Sequence, residues 1–193
     1  MTKTIEEPMP VSLKREAINY RNVDLTGYRR SDDLWDFEAT LTDTRAYEST
    51  ALERGNIPAG EPVHHIHVYI TINRDMVVQT ARAAMAMVPF RACPGALPAI
   101  ERMVGACIGP GWRRQIEERM GNALSCTHVR EVLLHIATMA YQTIPVWFAQ
   151  ENGDLIAGTD GALPLHLGKC SALAFDGLVV ARHYPQFARN SAD

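Results

Sequence analysis

Residues 125–144, SCTHVREVLLHIATMAYQTI, constrain the fold more than any other stretch. Val129, Val132, Leu133, Ile136, Ala137, Ala140, Tyr141 and Ile144 recur at three-then-four spacing, so a helix here has one continuous apolar face to bury. Thr127 is placed to cap its first turn, and Pro145 to stop it. The opposite face carries His128, Glu131, His135, Thr138 and Gln142, with Leu134 and Met139 beside it and no lysine. The pattern predicts a helix buried on most sides, whose narrow polar stripe, beginning with His128 and Glu131, faces a pocket. A mildly polar surface face is the alternative.

The rest of the chain supplies a sheet for that helix. Residues 63–72, VHHIHVYITI, are rich in β-branched side chains and read as the strongest strand. His64, Ile66, Val68, Ile70 and Ile72 share one side; Val63, His65, His67, Tyr69 and Thr71 share the other. A turn at Asn73-Arg74-Asp75 predicts that 76–82 returns antiparallel, with 63–72 central in the sheet. Residues 34–45 form a second clear strand, with Trp35, Phe37, Ala39 and Leu41 opposite Asp36, Glu38, Thr40 and Thr42. A weaker strand is expected at 11–21, and a loop from Arg54 to Gly60.

After Pro89, Pro94 and Pro98 the chain turns helical from Leu97, with Ile100, Val104 and Cys107 on one side. Gly109-Pro110-Gly111-Trp112 lacks the glycine spacing and lysine of a phosphate loop, so it reads as a turn that starts a helix over 112–120. Residues 151–161 read as an exposed loop, and Asp176-Gly177 as the turn of a closing hairpin. Strands first and helices after predict an α+β fold, a curved antiparallel β-sheet packed against a long central helix. Residues 1–10 are expected to form a flexible tail and 11–193 a single domain.

The 193 residues suffice for a real core, and 47% hydrophobic with 21% charged residues predicts a soluble globule. A net charge of −3 gives no reason to expect nucleic acid or anionic membrane as a partner. No apolar run is long enough for a membrane span, and the polar start MTKTIEEPMP has no hydrophobic signal core. Cys93, Cys107, Cys126 and Cys170 lack CxxC spacing, so reduced thiols in the cytoplasm are expected. The expected partner is a small molecule; a homo-oligomer stays open.

Several fragments, taken in order, carry a resemblance. They are GYRRSDDLWDFE (27–38), RG followed by GEPVH (54–64), IGPGWRR (108–114), CTH (126–128), Gln142, and a tail with Cys170 and Tyr184-Pro185. Together they resemble the bacterial family catalogued as domain of unknown function 2889. The family's polar positions fall on Tyr28, Arg29, Arg30, Asp32, Trp35, Asp36, Glu38, His64, Cys126, His128 and Gln142. The resemblance implies an association with aromatic catabolism, including aldol-type release of formaldehyde from lignin-derived phenylpropanoids. The chain departs from the pattern in two places. His65-Ile66-His67-Val68-Tyr69 stands where the family runs Asp-Met, a bulky residue and Arg, and Asp33 stands where glycine is usual.

Each candidate has two readings. His64 is either a hydrogen-bonded core imidazole or a neutral general base. His65 and His67 could offer two imidazoles to one metal, with a third ligand from His128, Asp36 or Glu38; otherwise they belong to an exposed polar face. Asp36 and Glu38 are an acid–base pair or structural partners of Arg29 and Arg30. Cys126, before a helix N-terminus, is a nucleophile candidate beside His128 or a small buried thiol.

The reading that follows is an enzyme needing no metal and no cofactor. His64, His65, His67, Tyr69, His128 and Glu131 are the catalytic candidates, with His65, His67 and Tyr69 expected in the same cavity as His128. Tyr28, Arg30, Asp36, Glu38, His135 and Gln142 are the substrate-binding candidates. The expected reaction is acid–base carbon–carbon cleavage of retro-aldol type on a small aromatic substrate. The alternatives are a metal-dependent hydrolase or oxygenase using His65 and His67, and a non-catalytic binding module.

Overall fold

The computed structural model describes residues 13–151, 163–164 and 166–189. The expected tail at 1–10 and all but the first residue of the expected 151–161 loop lie outside them.

Four long strands form one antiparallel sheet: β1 (Asn19–Arg29), β2 (Trp35–Arg45), β5 (Pro62–Ile72) and β6 (Val78–Met87), in the order β1-β2-β5-β6. A small hairpin, β3 (Ser49–Ala51) with β4 (Gly55–Ile57), interrupts the connection from β2 to β5, partly within the stretch read as a loop. The fold is α+β, and β5 is an inner strand paired with β6 on its far side. The strand expected at 11–21 instead begins at Asn19 and runs to Arg29. Pairing with β2 along its whole length sets its extent, residue for residue from Asn19↔Arg45 to Arg29↔Trp35.

Alternation sends Trp35, Phe37, Ala39 and Leu41 of β2, and Ile66, Val68, Ile70 and Ile72 of β5, into the core. The long helix packs on that face: α2 (Thr127–Glu151) buries Val129, Val132, Leu133, Ile136, Ala140 and Ile144 there. Each buried Val, Leu or Ile among them contributes about 1.5–3 kcal/mol by leaving water. A shorter helix, α1 (Trp112–Met120), starts after Gly111, whose φ of 85° is costly for any other residue type. Trp112 anchors the helix crossing, donating from its indole to the Leu133 carbonyl at 3.1 Å. No helix of the described residues is long and apolar enough to cross a membrane.

Three further expectations are corrected. The helix expected from Leu97 is a 3-10 helix over Cys93–Met103. Three residues per turn align Ile100 with Met103, and leave Val104 and Cys107 exposed. The expected closing hairpin is absent: Ser171–Leu173 is a 3-10 turn, followed by α3 (Leu178–His183). Gly177 has φ −85° and ψ 155°, the extended geometry of a residue preceding a helix, where a tight hairpin turn requires positive φ. Asp33, at the family's usual glycine position, does adopt φ 59°, which accounts for the glycine preference there.

The third correction is Pro145, which does not stop α2; the helix continues to Glu151. The extra turn is held by its aromatic residues. Trp147 and Phe148 both meet Trp35 edge-on, at 5.9 and 6.3 Å between ring centroids. Pro145 leaves one carbonyl of the preceding turn without an N–H partner. Replacing it with alanine should restore that bond and raise the unfolding free energy by about 2 kcal/mol, after subtracting the entropy proline removes from the unfolded chain. Chemical denaturation checks this, and unchanged or lower stability would contradict a continuous helix.

Candidate functional site

The sheet register builds the site. Arg21, Asp43 and His64 are direct cross-strand partners on β1, β2 and β5, a single row on the helix side of the sheet. The adjacent row, Val23–Leu41–Ile66, is apolar, so the charged row marks where the core ends. The first turn of α2 lies over it and brings His128 down beside His64. The ladder between β2 and β5 shifts just past Asp43, and this bulge leaves Val63 as an extra residue. Val63 and His64 consequently line the same cleft, although successive strand residues normally point to opposite faces. Tyr20, Arg21, Asp43, Arg45 and His128 contribute to the other walls, and the cleft holds about 350 Å3.

The Asp43 carboxylate is the hub. Arg21 donates to it in bidentate fashion, Nε to Oδ1 at 2.7 Å and Nη2 to Oδ2 at 2.8 Å. His64 Nδ1 lies 3.1 Å from Oδ2, and His128 Nε2 lies 3.5 Å from the same oxygen. The two imidazoles are in contact, with centroids 4.1 Å apart and planes tilted by 42°. On its other side His128 Nδ1 is 3.6 Å from Cys126 Sγ. The Cys126 carbonyl accepts the Arg130 N–H, which makes Cys126, not Thr127, the cap residue of α2.

These contacts pull the neighbouring groups in opposite directions. Burial, reinforced by the charge of His128, moves His64 below the ordinary imidazole value of 6.5. The hydrogen bond to Cys126 moves His128 above it, against burial. Burial pushes the Cys126 thiol upward, but His128 and the backbone N–H groups of Val129 and His128 outweigh it, and the net shift is downward. Asp43 follows the same logic: burial opposes ionisation, yet the Arg21 hydrogen bonds and charge hold the carboxyl below the usual carboxylate range.

One ligand atom each from Asp43, His64 and His128 falls within 4.8 Å of the other two, and among the described residues this is the one such group of three. The neighbouring guanidinium weakens this set for a cation. Arg21 already engages both carboxylate oxygens, and its own charge repels a metal.

The sheet divides the sequence-derived candidates. His64, His128 and Glu131 lie on the helix side. Glu131 stands at the rim with 44% of its side chain exposed, tied to Arg21 Nη1 at 2.7 Å, so it is only partly withdrawn from solvent. His135 and Gln142 are exposed farther along α2, where the polar stripe turns away from the sheet.

His65, His67 and Tyr69 do not reach the cavity of His128, because alternation puts them on the opposite face of the sheet. There Thr42 and Thr40 hydroxyls meet His65 and His67 Nδ1, each at 3.0 Å. Tyr69 is exposed and stacks at 6.4 Å on His67. Asp36 lies on that outer face too; it accepts the Thr71 hydroxyl at 2.7 Å and pairs with Arg30 at 3.4 Å, the structural ion pair of the two readings. Tyr28, opposite Asp36, and Glu38, opposite Tyr69, complete this second polar surface.

Arg21 and Asp43 were absent from the sequence-derived set. Their signal is a break in alternation: Asp43 continues the Trp35–Phe37–Ala39–Leu41 side, where an apolar residue is expected. Because the folded carboxyl ionises more readily than the unfolded one, Asp43 contributes stability above the usual carboxylate range and loses it as pH falls through the depressed value. The unfolding free energies of wild type and Asp43→Asn should therefore differ by about 1 kcal/mol at neutral pH, a figure kept small by the solvent around Arg21. The gap should close in acid. A gap that does not change with pH would contradict this account.

No curated protein and no solved structure matches this chain. The model of a family described as protein of unknown function (DUF2889) matches residues 19–142, a span holding Arg21, Asp43, His64, Cys126 and His128. The chain belongs to the DUF2889 family.

Proposed function

We propose that this protein is an enzyme that cleaves a carbon–carbon bond by acid–base chemistry, a retro-aldol lyase acting without a metal. Its substrate is a small oxygenated aromatic compound of the lignin-derived phenylpropanoid type, and it releases formaldehyde. One observation carries the reading. Two touching imidazoles share one carboxylate oxygen in a cleft, and their environments push their proton affinities apart. Such a split separates a base from an acid at one pH.

The chemistry follows from the contacts. His64 donates Nδ1–H to Asp43, which leaves Nε2 with a free lone pair in the neutral ring. That nitrogen removes the hydroxyl proton of a hydroxymethyl group. The O–H electron pair becomes the second bond of the departing aldehyde, and the carbon–carbon bond breaks. Its electrons pass to a carbonyl or comparable electron sink on the remaining fragment. Protonated His128 offers positive charge where that negative charge develops, and then protonates the carbon. A cleft of about 350 Å3 falls in the size range of small-molecule sites. Tyr20 gives it an aromatic wall and Val63 an apolar one. The four cysteines are free, which suits the cytoplasm of a bacterium.

The test is formaldehyde release from a panel of arylpropanoids carrying a primary hydroxymethyl group. His64→Ala should lower turnover by about 10²–10⁴-fold. His65→Ala and His67→Ala, on the far side of the sheet, should retain wild-type rates. No release from any member of the panel, or loss only in the His65 and His67 variants, would overturn the reading.

A further inference from the structure

The structure poses a choice between two histidines. With centroids 4.1 Å apart, His64 and His128 repel each other when both are charged, so near neutral pH one proton serves the pair. The Asp43 carboxylate does not select the bearer that the site needs. It lies nearer to His64, at 3.1 Å, than to His128, at 3.5 Å, and by itself would hold the proton on His64.

Among the described residues, the other charged and titratable groups of the cleft are Arg45 and Tyr20 at its wall, Arg45 with its guanidinium over the Tyr47 ring, and Arg21 with its partner Glu131. Arg21 of β1 spends its guanidinium on Asp43 and on Glu131 of α2, and the Glu131 carboxylate in turn points at Arg21. Cys126 remains. Its sulfur lies 3.6 Å from His128 Nδ1, at the cap position of a 25-residue helix whose first free N–H groups favour an anion. Among the described residues no thiol adjoins His64.

We propose that Cys126 is a positioning residue: as a thiolate held against His128 Nδ1, it makes His128 and not His64 the protonated member of the pair. The proposal deepens the acid–base reading, on which its catalytic meaning rests, by naming what assigns the two roles. With the thiolate in place, His128 donates Nδ1–H to sulfur and is paired by charge through Nε2 with Asp43, 3.5 Å away. His64 stays neutral and keeps its Nε2 lone pair for the substrate hydroxyl. The step moves one proton, from the Cys126 thiol to His128, and breaks no other bond. The direction of both shifts agrees with this assignment.

The test reads protons directly and needs no substrate. Imidazole nitrogens of the full-length ¹⁵N-labelled protein are titrated by NMR. In wild type His128 should titrate at higher pH than His64. Cys126→Ser keeps a good cap residue and removes the anionic sulfur. It should lower the His128 midpoint by about one pH unit, a tenfold fall in proton affinity, and raise that of His64. Cys126→Ala should do the same.

A second measurement works from the other partner. His128→Gln should return the thiolate absorbance step of Cys126, isolated by subtracting the Cys126→Ser spectrum, to ordinary thiol pH. Unchanged order and spacing of the two histidine midpoints in both Cys126 variants would overturn the proposal, as would an unmoved thiolate step in His128→Gln. Because these readouts concern the resting protein, absent lyase activity would count against the proposed reaction and not against this assignment.

Discussion

The bidentate contact between Arg21 and Asp43 is the interaction on which the site depends. It lies at the end of the apolar core, where a lone carboxylate near two imidazoles would draw protons onto both. With both oxygens engaged by a guanidinium, the carboxylate stays ionised, and its remaining capacity orients His64 and His128. Arg21 is 44% exposed and the Asp43 side chain 16%. A pair of that exposure adds only about 1 kcal/mol to stability. Its importance lies in geometry and charge: it fixes the hub from which both histidines are placed.

The sheet converts sequence distance into that arrangement. Residues 21, 43 and 64 are neighbours because three strands keep strict antiparallel register up to the bulge after Asp43. A one-residue slip would send Asp43 to the outer face and replace it with Thr42 or Thr44. The bulge then adds Val63 to the cleft beside His64. The helix supplies the remaining half: its apolar face fixes its height above the sheet, and its first turn carries Cys126 and His128 to the charged row. Core packing and site geometry are set by the same contacts, so a substitution that shifts α2 would also move His128 away from His64.

Much of the fold was legible in the sequence because its signals are local and periodic. Period-two alternation marked β2 and β5, the three-four spacing marked the buried face of α2, and the glycines around Trp112–Met120 bounded α1. Legibility failed where tertiary contacts overrode local rules. Pro145 reads as a stop, but Trp147 and Phe148 gain enough against Trp35 to carry the helix through it. Asp176-Gly177 reads as a hairpin turn, yet Gly177 is extended and opens a helix.

For the site, His64 and His128 were found, while the row that joins them was not. Arg21 lies in a strand whose bounds are set by pairing with β2 and not by its own pattern, and the charge of Asp43 hides its place on the core side. The run His65-His67-Tyr69 drew attention by its composition, but composition does not tell which face of a sheet meets the helix. Two polar surfaces on opposite faces of one sheet look alike in sequence, and only the packing of α2 distinguishes them.

The central claim is therefore that small oxygenated aromatics bind on the helix side of the sheet, at the Arg21–Asp43–His64–His128 cluster. The most direct measurement is NMR chemical-shift mapping of the histidine and tyrosine side chains while a set of hydroxylated phenylpropanoids is titrated in. The account predicts saturable shifts at His64, His128 and Tyr20, with His65, His67 and Tyr69 unmoved. Shifts confined to His65, His67 and Tyr69 would place the ligand on the outer face and contradict it.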